Sequence, residues 1–407
     1  MSYRRSVLPR SEYDTLVVTA PGLEEITRRE LLALGAVAAG PLERGAIPLR
    51  ASLRTLYALN LNLRTASRIT VLGATFHARS FAELERRAKS VPWSEWLADG
   101  TRVQLRVASR KSKLYHTDAV AERIAGAITA RSRATVTASS PDDDVREQLV
   151  LVRLLRDECT IRFDSSGDHL HRRGYRQAVA KAPLRETLAA AMLLGARWDP
   201  ATPLIDPFCG SGTIPIEAAL LAGNIAPGAQ RDFGFMRWPN FNRKTWREVL
   251  AQAEARERAP VAETIFGFDR DKGAIEAASA NAQRARIGNH VHFNCQSLSA
   301  LEPPEQSGWI VTNPPYGVRI GEGSDLRDLY ATLGRLARER LAAWHVALLG
   351  ADAKLLGHVG ARLEEIFRTT NGGLDVRLVM RVPLEQRSGR RRRAAGSSLG
   401  ITEGSPE

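Results

Sequence analysis

After Lys181 the chain repeats one pattern: a short apolar run, a turn, then a helix-length segment. "TPLIDPFCGSGTIPIEAALLAG" opens it. "ETIFGFDRDKGAIEAASANAQRARIG", "HVHFNC", "GWIVTNPPYG", "DLRDLYATLGRLARERL" and "WHVALLG" follow. Strands separated by helices cannot pair as hairpins, so they predict a parallel sheet covered on both faces. The last piece, "LEEIFRTTNGGLDVRLVMRVP", predicts a hairpin turning at Asn371-Gly372-Gly373, which makes the final strand antiparallel.

The first 175 residues read differently. A strand over Leu16–Thr19 and a Pro21-Gly22 turn precede the helical "LEEITRRELLALG". "SLRTLYALNLNLRTASRITVLG" then reads as a second helix running into a strand near Ile69–Leu72, a β-α-α-β unit. Next come helical "FAELERRAKSVPWSEWL", alternating "TRVQLRVAS" and helical "DAVAERIAGAITA". "EQLVLVRLLRDECTIRFDSSG" predicts two antiparallel strands turning near Asp157-Glu158. About two small α+β units result, with no catalytic cluster. From Arg387 periodicity is lost, and "RSGRRRRAAGSSLGITEGSPE" reads as a basic, disordered tail.

Charge divides along the same lines. Residues 1–182 contain 30 Lys+Arg against 20 Asp+Glu, residues 183–386 contain 23 of each, and residues 387–407 hold five arginines against two glutamates. A front half with a balance of +10 suits a polyanion such as RNA or DNA. The arginine richness of the chain, 51 Arg to 7 Lys, explains the choice of cation but not its uneven placement. Cys159, Cys209 and Cys295 lie far apart without a C-x-x-C pair, which suits a reducing cytoplasm and argues against a zinc ribbon. The pairs His169/His171 and His290/His292 lack the carboxylates or thiols that would complete a metal site, so no metal is expected. No apolar run is long enough to span a bilayer, so no membrane partner is expected.

"LIDPFCGSGT" is strand, glycine turn and helix start. Gly210 and Gly212 permit a sharp turn and close approach of a ligand. Neither G-x-x-x-x-G-K-[ST] nor G-x-G-x-x-G is present, so a phosphate grip is not implied. The next strand ends in Asp269, where a doubly wound sheet aims an acid at ribose hydroxyls. Asp271 reads as the N-cap of the following helix. Asp206, before the turn, is placed to face a cationic part of the ligand. A nucleoside with a positive centre and no phosphate fits: S-adenosylmethionine.

The fourth strand, Trp309–Thr312, leaves the sheet through Asn313-Pro314-Pro315-Tyr316. The lone pair of a nucleobase amine is conjugated into its ring, which makes it a poor nucleophile. Two acceptors, the Asn313 side-chain oxygen and the Pro314 carbonyl, can grip its N–H groups and aim that lone pair at a sulfonium methyl. The prolines fix those acceptors at little entropic cost. Tyr316 can stack on an extruded base. The competing reading is a proline turn with a core tyrosine.

"DPFCGSGT" followed by "NPPYG" resembles the class I S-adenosylmethionine-dependent amino-methyltransferases. With "APGLEEITRREL", "LHRRGYRQAVAKAPLRETLAAAML" and "DPFCGSGTIPIEAALLAGNIAPG", the chain more narrowly resembles the THUMP-domain RNA guanine-N2 methyltransferases of the large-subunit (23S) rRNA type. The resemblance covers about residues 14–385. It implies a ferredoxin-like α+β segment over 1–70 and a THUMP domain that grips RNA over 71–175. A Rossmann-like methyltransferase domain over 176–386 would follow, with an insertion at about 223–260, before the tail at 387–407. It implies catalysis by Asn313, Pro314 and Tyr316. The cofactor would touch Asp206, Phe208, Cys209, Gly210, Ser211, Gly212, Thr213, Asp269, Arg270, Ser297 and Asn313. Relatives often carry an acid after the third strand to reach the adenine amine; here Gln296 and Ser297 stand instead.

The RNA contacts suggested are Arg110, Lys111 and Lys113 of "SRKSK", Arg172, Arg173 and Arg176 of "HRRGYR", Arg243 in the insertion, and Arg319 past the N-P-P-Y turn. The insertion, "NIAPGAQRDFGFMRWPNFNRKTWREVLAQ", reads either as a cap with Phe241, Arg243 or Trp246 near the target base, or as a structural flap. The substrate expected is rRNA, with tRNA as the alternative. Three rivals stand beside this reading: a DNA adenine-N6 methyltransferase, a protein-glutamine methyltransferase and an RNA-binding chaperone with a relict cofactor fold. The cytoplasm is the expected location, and oligomeric state is not legible.

Overall fold

A computed structural model describes residues 12–137, 147–177, 184–258, 264–316 and 323–381. They form two compact units, one containing residues up to Gly174 together with Ile225–Glu257, the other running from Tyr175 to Asn224 and from Arg258 onward.

The first unit is built on a single seven-stranded sheet. Its strands are β1 (Tyr13–Thr19), β2 (Ala46–Ala51), β3 (Ala66–His77), β4 (Arg102–Arg110), β5 (Thr135–Thr137), β6 (Gln148–Leu155) and β7 (Glu158–Asp164). The spatial order is β2-β1-β3-β7-β6-β4-β5. β3 joins what the sequence suggested were separate units: β1 pairs along Ala66–Val71, and β7 along Thr70–His77. Helices α1 (Glu24–Ala33), α2 (Leu53–Asn62), α3 (Phe81–Ala88) and α4 (Thr117–Arg131) complete this stretch. Ser52 and Ser80 cap α2 and α3 by accepting from Thr55 N and Glu83 N. The first segment is therefore β-α-β-α-β, not β-α-α-β. β2 escaped notice because Pro48 interrupts its pattern. Proline is tolerated there because β2 is an edge strand, whose outer face has no ladder to feed. The β6–β7 hairpin turns at Arg156-Asp157, both at positive φ (50° and 66°).

Residues 225–257 leave the second unit in sequence and fold as part of the first. Phe233 and Phe235 are fully buried, and Phe235 stacks 4.3 Å from Tyr57. Phe241 and Trp246, on or beside α7 (Arg243–Glu254), meet the same Tyr57 ring edge-on at 5.8 and 6.2 Å. Tyr57 Oη accepts from Asn242 N at 3.0 Å, and Trp238 Nε1 donates to Gln148 Oε1 at 2.9 Å. The Arg231 guanidinium donates to the carbonyls of Ser166, Asp168, His169 and Arg172. The insertion is thus the flap rather than a cap: Phe241 and Trp246 are packed side chains of this core. Arg243, the first residue of α7, is exposed.

The second unit contains the parallel sheet. Its strands are β8 (Leu204–Asp206), β9 (Ile265–Asp269), β10 (His292–Cys295), β11 (Trp309–Thr312), β12 (His345–Gly350), β13 (Glu364–Asn371) and β14 (Leu374–Arg381), ordered β10-β9-β8-β11-β12-β14-β13. β8 to β12 run parallel, and β14 lies antiparallel to both neighbours. The hairpin before it turns at Gly372-Gly373, both at positive φ. Helices α5 (Glu186–Ala196), α6 (Thr213–Ala222), α8 (Lys272–Arg284), α9 (Gly323–Glu339) and α10 (Ala353–Gly357) accompany this sheet. α5 and α6 have buried residues around nearly their whole circumference, as helices in the interior of a domain must. From β8 the chain proceeds outward to β9 and β10, then returns to place β11 on β8's other side. That reversal opens a crevice at the strands' carboxyl ends. Among the described residues, no helix is long and apolar enough to cross a membrane.

Candidate active site

Three adjacent strands, β9, β8 and β11, deliver their carboxyl ends to this crevice. β8 ends in Asp206 and turns through Phe208–Gly212 into α6. Gly210 and Gly212 adopt φ of +51° and +84°. A Cβ on Gly212 would lie 2.9 Å from both Ala278 Cβ and Phe293 Cζ, whereas one on Gly210 would meet nothing within 4 Å. One glycine is therefore required by packing, and the other leaves open space. The loop is pinned at each step. Cys209 N donates to Phe268 O at 2.9 Å, Gly210 N to Asp269 Oδ2 at 3.0 Å, and Asn281 Nδ2 to Ser211 O at 3.0 Å. Asp269 Oδ1 accepts from Asp271 N at 3.0 Å, so this acid ties the glycine turn, held by its Oδ2, to the start of α8. Asp271 caps α8 through Gly273 N and Ala274 N.

Asp206 is buried, and its Oδ1 accepts from Thr312 Oγ1 at 2.6 Å and Phe208 N at 3.1 Å. Burial pushes its pKa up to about 7, with the Thr312 and Phe208 hydrogen bonds opposing and Asp269 adding repulsion. A carboxyl so placed accommodates a neighbouring positive charge readily, because that charge relieves the cost of ionising it. Burial also raises the Cys209 thiol well above its ordinary range, so it is a packed wall rather than a nucleophile. Thr213, the first residue of α6, is buried, and Ser211 beside it is too. Past β9 and β10, Arg270 and Ser297 are exposed. Ser297 Oγ lies 3.1 Å from Ser299 Oγ, while Gln296 Nε2 donates to Ala300 O at 2.6 Å.

β11, buried along its length, presents Asn313. The Asn313 Oδ1 atom is shielded from solvent and has no hydrogen-bond partner among the described residues. A buried acceptor left unmade costs about 1–3 kcal/mol, so its retention beside a crevice points to a donor brought by a ligand. The turn around it is held from two sides: Tyr330 Oη, on α9, donates to Pro315 O at 3.4 Å, and Asn371 Nδ2 donates to Tyr316 Oη at 3.0 Å. Pro314 is buried and Tyr316 half-buried, and burial raises the Tyr316 phenol's pKa. The roles of Thr312, Tyr330 and Asn371 were not legible in the sequence, since each depends on a partner that only the fold brings near.

The proposed RNA contacts separate into two groups. Arg110, Lys111, Lys113, Arg172 and Arg243 are exposed. Arg173 and Arg176 depart from expectation. Arg173 is 3% exposed and donates to the carbonyls of Leu170 and Arg64. Arg176 donates to Leu184 O and Thr213 Oγ1, both at 2.7 Å, and pairs with Glu186 at 3.1 Å. A guanidinium spent on buried partners is not available to phosphate; Arg176 instead fastens the start of α6. Arg319 and the tail at 387–407 lie outside the described residues.

Residues 173–379 match a family described as the RMKL-like methyltransferase domain. The chain belongs to that family. Two further matches cover the front of this methyltransferase: the RlmL ferredoxin-like domain over residues 14–70 and the THUMP domain over 78–164. The methyltransferase is 35% identical over 362 residues to slr0064 of Synechocystis sp., which carries the name of an RNA methyltransferase, covering 88% of this chain and 94% of that one. It is 37% identical over 382 residues to the ribosomal RNA large subunit methyltransferase K/L of Syntrophotalea carbinolica, covering 91% of this chain but 53% of that longer protein. Among solved structures, SMU.472 in complex with SAH is 29% identical with a TM-score of 0.81, over 92% of this chain and 99% of that one. A Listeria monocytogenes protein, described by prediction as an N6-adenine-specific DNA methylase, is 31% identical at the same TM-score, over 90% and 96%.

Proposed function

We propose that this methyltransferase transfers a methyl group from S-adenosylmethionine to the N2 amine of a guanosine in RNA, with large-subunit ribosomal RNA as the substrate and the cytoplasm as the place. The observation that carries the reading is the shielded Asn313 Oδ1, without a hydrogen-bond partner among the described residues and set on a braced turn one strand away from a glycine loop.

The residues present fit the cofactor. Gly210 leaves room for a close approach, Asp269 offers its remaining lone pairs to a ribose diol, and Asp206 offers negative charge to a cationic end. When bound, S-adenosylmethionine supplies an electrophilic methyl group. Arg270 and Ser297, being exposed, border the adenosine end in this reading, with Phe208 and Cys209 as the apolar wall and Ser211 and Thr213 closing the turn. Asn313 Oδ1 accepts one N–H of the guanine amine and the Pro314 carbonyl the other. This orients the nitrogen lone pair and stabilises the positive charge that grows there. Tyr316, its hydroxyl held by Asn371, stacks on the base once it leaves its helix. No dedicated base is needed, because the methylated ammonium is strongly acidic and loses its proton to water or to the gripping oxygens.

RNA is favoured over DNA by the basic front half and by the THUMP match within it. The exposed Arg110, Lys111, Lys113, Arg172 and Arg243 are its phosphate contacts in this reading. The large-subunit assignment follows the name of the longer relative, about half of which this chain spans. The test is methyl-tritium transfer to rRNA, tRNA and duplex DNA from a deletion strain, followed by nucleoside analysis. Label recovered as N2-methylguanosine from 23S rRNA supports the proposal. Label in N6-methyladenine, or in tRNA alone, replaces it with one of the rivals.

A further inference from the structure

The loop from β4 to α4 bears a feature that the methyl-transfer chemistry does not use. Residues 106–116, "RVASRKSKLYH", which are the end of β4 and the loop after it, carry four cationic side chains and no acidic one. At its end Tyr115 is 68% exposed, one of few large apolar side chains so open among the described residues. Its ring centroid lies 4.1 Å from that of His116, which is also exposed. Exposed π-faces close in sequence to several cations are the combination with which proteins hold single-stranded nucleic acid, the rings stacking on bases and the cations tracking phosphates.

This loop is built rather than loose. Lys113 N donates to Asp157 Oδ1 at 2.7 Å, Asp157 N to Ser112 Oγ at 2.8 Å, and Arg156 N to Arg110 O at 3.3 Å. Ser109 Oγ donates to Leu114 O at 2.7 Å, and Leu114 itself is buried. The loop is thus stitched to the β6–β7 turn. Lys111 is held at a φ of 53°, a conformation L residues adopt only under constraint. These bonds fix the backbone that carries Arg110, Lys111, Lys113, Tyr115 and His116, all five of which are exposed.

We propose that Tyr115 and His116 form a stacking platform for an unpaired base of RNA, whose flanking phosphates are held by Arg110, Lys111 and Lys113. Charge complementarity selects a polyanion, and the exposed rings select one with free π-faces, which a duplex keeps stacked inside itself. The proposal deepens the RNA reading given above and rests on it for the substrate class, although its test reads binding and not methylation.

The full-length protein is titrated into fluorescein-labelled single-stranded RNA of roughly 12 nucleotides, and into a duplex of the same length, with anisotropy as the readout. Tyr115→Ala weakens single-strand binding about tenfold, the range base–aromatic stacking supplies, with duplex binding unchanged. Tyr115→Phe restores the affinity. The salt dependence of Tyr115→Ala matches the wild type, whereas the Lys111→Gln/Lys113→Gln protein loses roughly 1.4 from the slope of log K against log salt. Equal loss on both RNAs, or wild-type binding by Tyr115→Ala, overturns the platform. S-adenosylmethionine affinity, measured in parallel, stays constant, and a wild type that binds RNA without methylating it removes the proposed reaction and leaves this surface standing.

Discussion

The two glycines of the β8–α6 turn make a paired test, because the same substitution meets different surroundings. Any L residue at Gly212 must hold φ near +84°, at a backbone cost of about 1–2 kcal/mol. Its methyl would lie 2.9 Å from Ala278 Cβ and Phe293 Cζ, well inside the 3.5–4.0 Å of comfortable carbon contact, which adds about 1–3 kcal/mol of overpacking. Gly212→Ala should therefore lose about 2–5 kcal/mol of stability, seen as a fall in Tm of about 4–20 °C in a domain of this size. Gly210→Ala meets only the backbone cost, about 1–2 kcal/mol, because no atom lies within 4 Å of the added methyl. That methyl enters the space assigned to the cofactor, so S-adenosylmethionine affinity should fall at least tenfold in calorimetry while most of the stability remains. A Gly210→Ala protein that binds the cofactor like wild type would refute the placement of the ligand against this turn. A Gly212→Ala protein as stable as wild type would refute the packing argument.

Other outcomes follow from the same geometry. Asn313→Ala should lower kcat by about 10²–10³-fold, the usual loss for one preorganised polar group, without changing cofactor affinity; retention of the wild-type rate would remove Asn313 from the reaction. Tyr316→Phe and Asn371→Ala should each lower kcat about fivefold, from one hydrogen bond worth about 1 kcal/mol, and the double variant should be no worse than either. Additive losses would show that the two act separately. Asp206, with its pKa pushed up to about 7, should make S-adenosylmethionine bind about tenfold more tightly at pH 8 than at pH 6, and Asp206→Asn should flatten that profile. Without ligand the sign reverses. Because the folded pKa is raised, this group favours the fold most below its ordinary value of 3.8, and that advantage is lost as pH climbs to about 7. Phe235→Ala should cost about 3–5 kcal/mol in the unfolding of the first unit and leave cofactor affinity intact. Loss of cofactor binding without loss of stability would contradict its place in that core.

The elements best read from the sequence are those whose signal is local. The alternation after Lys181 announced a parallel sheet, and Asn371-Gly372-Gly373 announced its antiparallel end. The order of Gly210, Gly212, Asp269 and Asn313 along the chain matched strands that meet at one crevice. Each of these depends on periodicity, or on a backbone conformation only certain residues adopt, and both are carried by neighbouring residues.

What the tertiary structure alone decided depends on partners distant in the chain. No local pattern reveals that β3 is long enough to fuse two α+β segments into one sheet. Nor does any show that Phe235, Phe241 and Trp246 surround Tyr57, some 180 residues earlier in the chain. Arg173 and Arg176 read as free cations because arginine usually is one. Their role changed only when Arg64, Thr213 and Glu186 were brought beside them. Chemistry of single residues and short turns is written along the chain, whereas burial and pairing are properties of the folded interior, where a side chain's use is set by whatever the fold packs against it.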